Sequence, residues 1–330
     1  MRKSEIQTLI VLCLALLVAQ PLALVAGRWY LAERGSPGNA QNQWAAYRSS
    51  AAPDVLFVGD SRVRADIDTA ELARSLSGGG RPATVGALGI DAAKPLFLRE
   101  LVRRIAARET RPQLLVLSIS EYQLNASWDL SPASGGSQTK YVWQITDPID
   151  PAFMLAAARD EPDRGRLLAG WAFPLLASYG VVVEGLRCQA LALRGREECG
   201  DTLRDRATPM TPEKRDEWRE IIGRDYLGAY DDATRQIDAA SEALAIARDA
   251  GIDVAVMLPP VYRFADIAAP AYARFLASLT TLSRNANAKL VDLHAAFDER
   301  PELFFDPNHL TTDGSRAVAP LIAASLGLGR

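Results

Sequence analysis

Two short stretches hold residues whose types and spacing suit nucleophilic chemistry. In VLFVGDSRVRADID (residues 55–68), an apolar run ends and an acid, a hydroxyl and two arginines follow: Asp60, Ser61, Arg62 and Arg64. In FFDPNHLTTDG (residues 304–314), Asp306 stands three places before His309. A serine becomes a nucleophile only with a base in hydrogen-bond reach and a third group that orients the base. The chain has two histidines, so the choice of base is narrow. On a turn, the Asp306–His309 spacing lets the carboxylate reach the imidazole nitrogen that faces away from the serine. That contact fixes the tautomer and stabilises the imidazolium formed during attack. Pro307 and Asn308, between them, are turn formers. His294, in VDLHAAF, reads as a packed or surface histidine.

The elements that must position these residues follow from the spacing of apolar runs. Strand-length runs occur at Val55–Val58, Thr84–Leu88 (the weakest), Leu114–Ile119, Ile252–Leu258 and Lys289–Leu293. Helix-like segments lie at Thr69–Leu76, Ala93–Arg108, Asp232–Ala250 and Pro270–Asn285, and Gly251 supplies a helix stop before the fourth run. Strands alternating with helices predict an α/β fold with a parallel sheet covered on both faces. Ligands of open parallel sheets bind at the carboxyl ends of strands, which is where Ser61 falls. The alternation breaks from about 125 to 210, where SPASGGSQT, Trp128, Trp143, Trp171 and an apolar run over Leu167–Leu193 replace strands. This segment reads as a mainly helical insertion. It caps the site, meets a membrane partner, or only adds core. Thr211-Pro212-Glu213 then begins a helix, with proline in the first turn.

Composition bounds the partners. The 330 residues are 48% hydrophobic and 23% charged with a formal net charge of −3, and no basic stripe is present, so nucleic acid is not an expected partner. Ile6–Ala26 has no charged residue and is long enough to cross a bilayer as a helix. Arg2 and Lys3 before it predict an inside amino terminus and an exported remainder. A signal peptide cleaved after LVA, before Gly27, is the competing reading; the apolar stretch exceeds the usual 7 to 15 residues of a signal core. The expected organisation is an anchor over 1–27, a stalk or short helix over 28–52, and an α/β domain over 53–330. Cys188 and Cys199 fall in the exported part, as a disulfide or as two buried thiols. No Cys/His cluster with metal-ligand spacing accompanies them.

With Gly59-Asp60-Ser61 after the first strand and Asp306-x-x-His309 near the carboxyl terminus, the chain resembles the SGNH, or GDSL-type, hydrolase superfamily. The resemblance covers Val55 to Leu326 apart from the insertion. It implies a flavodoxin-like three-layer sandwich around about five parallel strands, with Ser61, His309 and Asp306 as catalytic residues. The α/β-hydrolase alternative lacks its Gly-x-Ser-x-Gly. The family's second block, Asn-x-Gly-x-x-Gly, matches ALGIDA (residues 87–92) only at Gly89, with Ala87 and Ala92 at the outer places. The resemblance makes the amide of Gly89 or Ala92 an oxyanion donor. The third block, normally an Asn, is LSISEYQLN, with Glu121 near that place and Asn125 further on. An ionised carboxylate cannot donate to an oxyanion. Arg62 and Arg64 are expected to meet an anionic or hydroxyl-rich substrate, unless Arg64 is a solvated surface residue.

The anchor, the altered third block, the insertion and DPNHLTTDG look like the exported, membrane-anchored members that work beside membrane-bound O-acyltransferases. That implies a single-pass protein of the cytoplasmic membrane with its catalytic domain in the periplasm. It would move an acyl group, expected to be acetyl, from an acyl donor to a cell-surface glycan through Ser61, with no metal or organic cofactor. An exported GDSL-type esterase and a non-catalytic partner of an acyltransferase complex are the alternatives.

Overall fold

The structure is a computed structural model and describes residues 3–34, 38–77, 82–124, 145, 155, 164–172, 206–221, 235–262 and 264–327. Its centre is a five-stranded, all-parallel sheet in the order β2-β1-β3-β4-β5. The strands are β1 Val55–Gly59, β2 Val85–Gly89, β3 Leu114–Ser118, β4 Asp253–Leu258 and β5 Lys289–Asp292. All of β1 is buried, as is all but the first residue of β3 and of β4. Strands covered on both faces must be apolar at successive positions, not alternate ones. That is why VLFVG, LLVLS and VAVML read as unbroken runs.

The described helices are α1 Lys3–Arg34, α2 Ala40–Ser49, α3 Ser61–Asp66, α4 Thr69–Leu76, α5 Pro95–Ala106, α6 Arg164–Ala172, α7 Pro212–Ile221, α8 Arg235–Asp249, α9 Phe264–Asn285 and α10 Thr312–Leu326. Side chains alternate across a strand. Val55 and Phe57 of β1, with Val116, Met257 and Val291, join the core shared with Leu72 and Leu76 of α4 and Val318 and Ile322 of α10. Leu56, Val58, Leu115 and Leu117 point the other way, toward the layer in which α5 packs on α8. Phe57 is fully buried, and its truncation to alanine would cost roughly 3–5 kcal/mol. The fold is therefore α/β, with helices on both faces of the sheet. Gly251 closes α8 at φ +78°, a backbone conformation that an L side chain rarely adopts.

The chain divides into two compact units, 1–42 with 139–201, and 43–138 with 202–330. The first contains α1, whose Ser4–Gly27 stretch has a mean hydropathy of 2.7 over its most apolar 18 residues, none of which is buried. Leu12, Val18 and Leu22 are each more than half exposed. A helix of this length and composition suits a membrane span or a signal sequence.

Within 28–52 the described residues include the end of α1 and all of α2, and part of the segment belongs to the second unit. Trp44 and Tyr47, three apart and so on one face of α2, are each 6% exposed. Arg108 lies 4.5 Å over the Tyr47 ring and donates to the Tyr47 carbonyl. Polar composition alone conceals this buried face. Most of the expected insertion, including Asn125, Trp128, Trp143, Cys188 and Cys199, lies outside the described residues.

Candidate active site

The β1–α3 turn sets Ser61. Asp60 caps α3, its Oδ1 accepting the Arg62 N–H at 2.9 Å, while its Oδ2 accepts the Ser120 hydroxyl at 2.6 Å. One buried carboxylate thus ties the end of β1 to the segment after β3 and leaves Ser61 as the first helical residue, half-buried. Losing such a cap costs about 1 kcal/mol.

His309 arrives on a two-stranded hairpin, β6 Phe304–Asp306 and β7 His309–Leu310. Asp306 Oδ1 accepts the backbone N–H groups of Asn308 and His309 at 2.8 and 3.0 Å, the local bonding that makes DPNH a turn. The His309 imidazole donates from Nδ1 to Asp306 Oδ2 at 2.9 Å. Its Nε2 stands 2.8 Å from Ser61 Oγ. With Nδ1–H on the carboxylate, Nε2 is the lone pair that can take the serine proton. The loop is fastened from below, because Tyr262 N–H donates to the Pro307 carbonyl at 3.0 Å.

The charges favour this relay. Burial works against the Asp306 carboxylate, but the His309 imidazole and the Asn308 N–H outweigh it and hold Asp306 below the usual carboxylate range. Burial also works against a charged His309, yet Asp306 and then Asp66 lift the imidazole above its ordinary value. Side-chain exposure is 16% for His309 and 8% for Asp306, enough for a reacting group to reach the ring edge.

The opposite side of Ser61 differs from the sequence expectation. Glu121 opens a 3₁₀ turn, Glu121–Leu124, directly after β3. Its Oε2 accepts from Arg62 Nη1 at 2.9 Å, with the two side chains 2% and 1% exposed. Burial disfavours the Arg62 cation, but Glu121 and Asp60 more than compensate and hold it firmly charged. Arg62 therefore does not offer itself to a solvated anionic substrate. Glu121, engaged by Arg62, is half of an internal ion pair. Arg62 Nη2 and Glu121 Oε1 have no hydrogen-bond partner among the described residues.

Gly89 ends β2, and a Cβ there would collide with the Arg64 backbone, lying 2.8 Å from its Cα. Glycine is required so that α3 can sit against the loop that follows β2. Ala92 adopts φ +56° in that loop. Arg64 is not a solvated surface residue. It is 14% exposed and binds Asp91 through Nη2 at 2.9 Å, bracing α3 on the same loop. His294 is 3% exposed and stacks on Tyr272 with ring centroids 4.1 Å apart. It is a packed histidine.

Three residues contributing here had no sequence signal of their own: Ser120 on Asp60, and Asp66 and Arg206 on the backbone next to His309. Their partners lie 60 to 244 residues away, beyond any local pattern. A cavity of about 260 Å³ lined by Asp54, Val55, Gln113, Leu114 and Asp253 lies at the amino ends of β1, β3 and β4, remote from this chemistry. Among the described residues, no three His, Cys, Asp or Glu side chains are grouped to hold a metal. No family model matches the chain, and no curated protein matches it.

Proposed function

We propose that the chain is an SGNH-type acyltransferase that carries an acyl group on Ser61. The observation that supports this reading best is the continuous Ser61–His309–Asp306 relay, with contacts of 2.8 and 2.9 Å at the carboxyl end of β1. The strand order 2-1-3-4-5 is that of flavodoxin-like sheets, and its direction reverses beside β1, where such sheets bind ligands.

In the first step His309 Nε2 takes the Ser61 proton as Oγ attacks the acyl carbonyl. The tetrahedral intermediate collapses, the bond to the donor's leaving oxygen breaks, and His309 returns the proton to it. In the second step a glycan hydroxyl gives its proton to His309 and attacks the acyl-enzyme carbonyl; the bond from Ser61 Oγ to the acyl group breaks, and His309 returns the proton to Ser61. The oxyanion donors are the amides of Ser61 and of Gly89 or Ala92, because Glu121 is bound to Arg62. Loss of one such donor typically costs about a hundredfold or more in rate. This mechanism uses no metal or organic cofactor.

The unburied, apolar α1 supports a membrane anchor that holds the domain outside the cytoplasmic membrane, beside a membrane-bound O-acyltransferase as partner. Hydrolysis of p-nitrophenyl acetate, with Ser61→Ala as control, tests the nucleophile; equal rates would sink it and leave the non-catalytic partner role. Supplying an acyl donor with a glycan panel and weighing the sugars separates the remaining two readings. Acylated sugar supports transfer, and its absence with free acid accumulating supports an esterase.

A further inference from the structure

Asp66 ends α3, five residues after Ser61, and is 1% exposed. Its Oδ1 accepts the backbone N–H of Leu310, the neighbour of His309, at 2.8 Å. The Leu310 carbonyl accepts from Arg206 Nη1 at 3.1 Å, and the same guanidinium nitrogen donates to the Ala65 carbonyl. Both polar groups of the Leu310 backbone are thus tied to the helix that carries Ser61. Asp66 Oδ2 has no hydrogen-bond partner among the described residues. A buried carboxylate oxygen without a partner is costly, and a small apolar residue would avoid that cost.

We propose that Asp66 is a positioning residue of the Ser61 site, a second carboxylate that acts on His309 through the Leu310 backbone and through its charge. The proposal rests on the Ser61–His309 reading above. Asp306 orients the ring, whereas Asp66 sets where the strand bearing the ring meets the nucleophile helix. A shift of about 1 Å in such a contact can cost on the order of a hundredfold in rate.

The surroundings support the second part. The charged groups acting on Asp66 include His309 from β7, Arg62 from its own helix, and Arg206 from the segment before α7. β1 and β2, also packed on α3, carry no ionisable side chain. α10 brings only Asp313 and Arg316, exposed and paired with each other. Burial pushes Asp66 up to about 7 against His309, the Leu310 N–H, Arg62 and Arg206. Near neutral pH the carboxyl therefore changes charge beside a base that its anion makes stronger.

Asp66→Asn keeps an oxygen for Leu310 and removes the charge; Asp66→Leu removes both. In the full chain with isotope-labelled histidine rings, a pH titration by nuclear magnetic resonance reads His309 directly in a Ser61→Ala background. His294 serves as the internal control. The His309 midpoint falls when Asp66→Asn is added; an unchanged midpoint overturns the charge role. Covalent labelling of Ser61 by a fluorophosphonate probe reads the rest. Asp66→Asn moves the acidic limb of the labelling rate to lower pH. Asp66→Leu, checked for folding by circular dichroism, slows labelling on the order of a hundredfold. Wild-type labelling in Asp66→Leu overturns the positioning role, and if that variant does not fold, Asp66→Ala, which also removes the oxygen, is read in the same way. Failure of the unmutated chain to label counts against the nucleophile and leaves the titration to decide Asp66.

Discussion

On one side, Ser61 faces the His309 imidazole, held by a carboxylate whose oxygens also accept two backbone N–H groups. Toward β3 it has as neighbour a guanidinium and a carboxylate joined by one hydrogen bond, each with an atom left over among the described residues. Both sides are buried and both bring opposite charges together. They differ in satisfaction. Asp306 has enough donors to stay ionised and to orient a base, so its side is suited to moving a proton. The Arg62–Glu121 pair is held by mutual attraction against the cost of desolvation, an arrangement that punishes the loss of either member more than it rewards the pair. A buried carboxylate thus serves a relay on one side and a structural lock on the other, because its partner is an imidazole that exchanges a proton in one case and a guanidinium that keeps its charge in the other.

Substitutions on the relay side should have the largest effect on chemistry. Ser61→Ala or His309→Ala lowers acyl-enzyme formation by about 10⁴-fold or more, with Asp306→Asn approaching that loss. Rapid-mixing assays with an activated ester measure this, and a loss below tenfold for His309→Ala would break the relay assignment.

The lock side answers in stability. Arg62→Met or Glu121→Leu alone leaves a buried charge without its partner and should cost about 3–5 kcal/mol in denaturant unfolding. The double variant Arg62→Met with Glu121→Leu should recover most of that loss. Additive losses in the double variant would show that the two side chains do not act as a pair.

Acidity sharpens the contrast, because its sign differs by group. The folded pKa of Asp306 is depressed, so its stabilisation is present above the unfolded value near 3.9 and is lost as pH falls through the folded one. His309 is raised; its stabilisation is full below about 6.5 and is lost as pH climbs through the folded value. Asp66 runs the other way: a carboxyl raised to about 7 favours the folded state when neutral, so stability declines between about 4 and about 7. Thermal unfolding of Asp66→Asn should therefore show a gain over the unmutated chain at pH 8 that shrinks toward pH 4. Acylation itself should rise through the lifted imidazole value, since only neutral Nε2 accepts the proton.

The smallest effect belongs to Arg64→Ala. Asp91, its partner, has a side chain 37% exposed, and pairs of that kind contribute about 1 kcal/mol or less.

How much of this was legible follows the range of the signal. β1, β3 and β4 were plain in sequence because burial on both faces demands continuous apolar runs. β2 was weak because VGALG is only partly buried and carries two glycines, one of them needed for the approach of α3. The Asp306–His309 turn was readable because its partners lie three residues apart. Nothing local announces that Glu121 meets Arg62 across 59 residues, or Asp66 meets Leu310 across 244. Glu121 was therefore legible as a departure from a family pattern and not as an ion pair. Trp44 and Tyr47 carried a helical period inside a polar segment, too short to outweigh its composition.

The central claim is that Ser61 carries the acyl group. Mass spectrometry of the full chain, quenched during turnover of p-nitrophenyl acetate and digested, tests it most directly. The account predicts one acetyl group on the peptide containing Ser61, accumulating when no acceptor is supplied and absent from Ser61→Ala. An unmodified Ser61 peptide while nitrophenol is released, at a rate equal in Ser61→Ala, would contradict it.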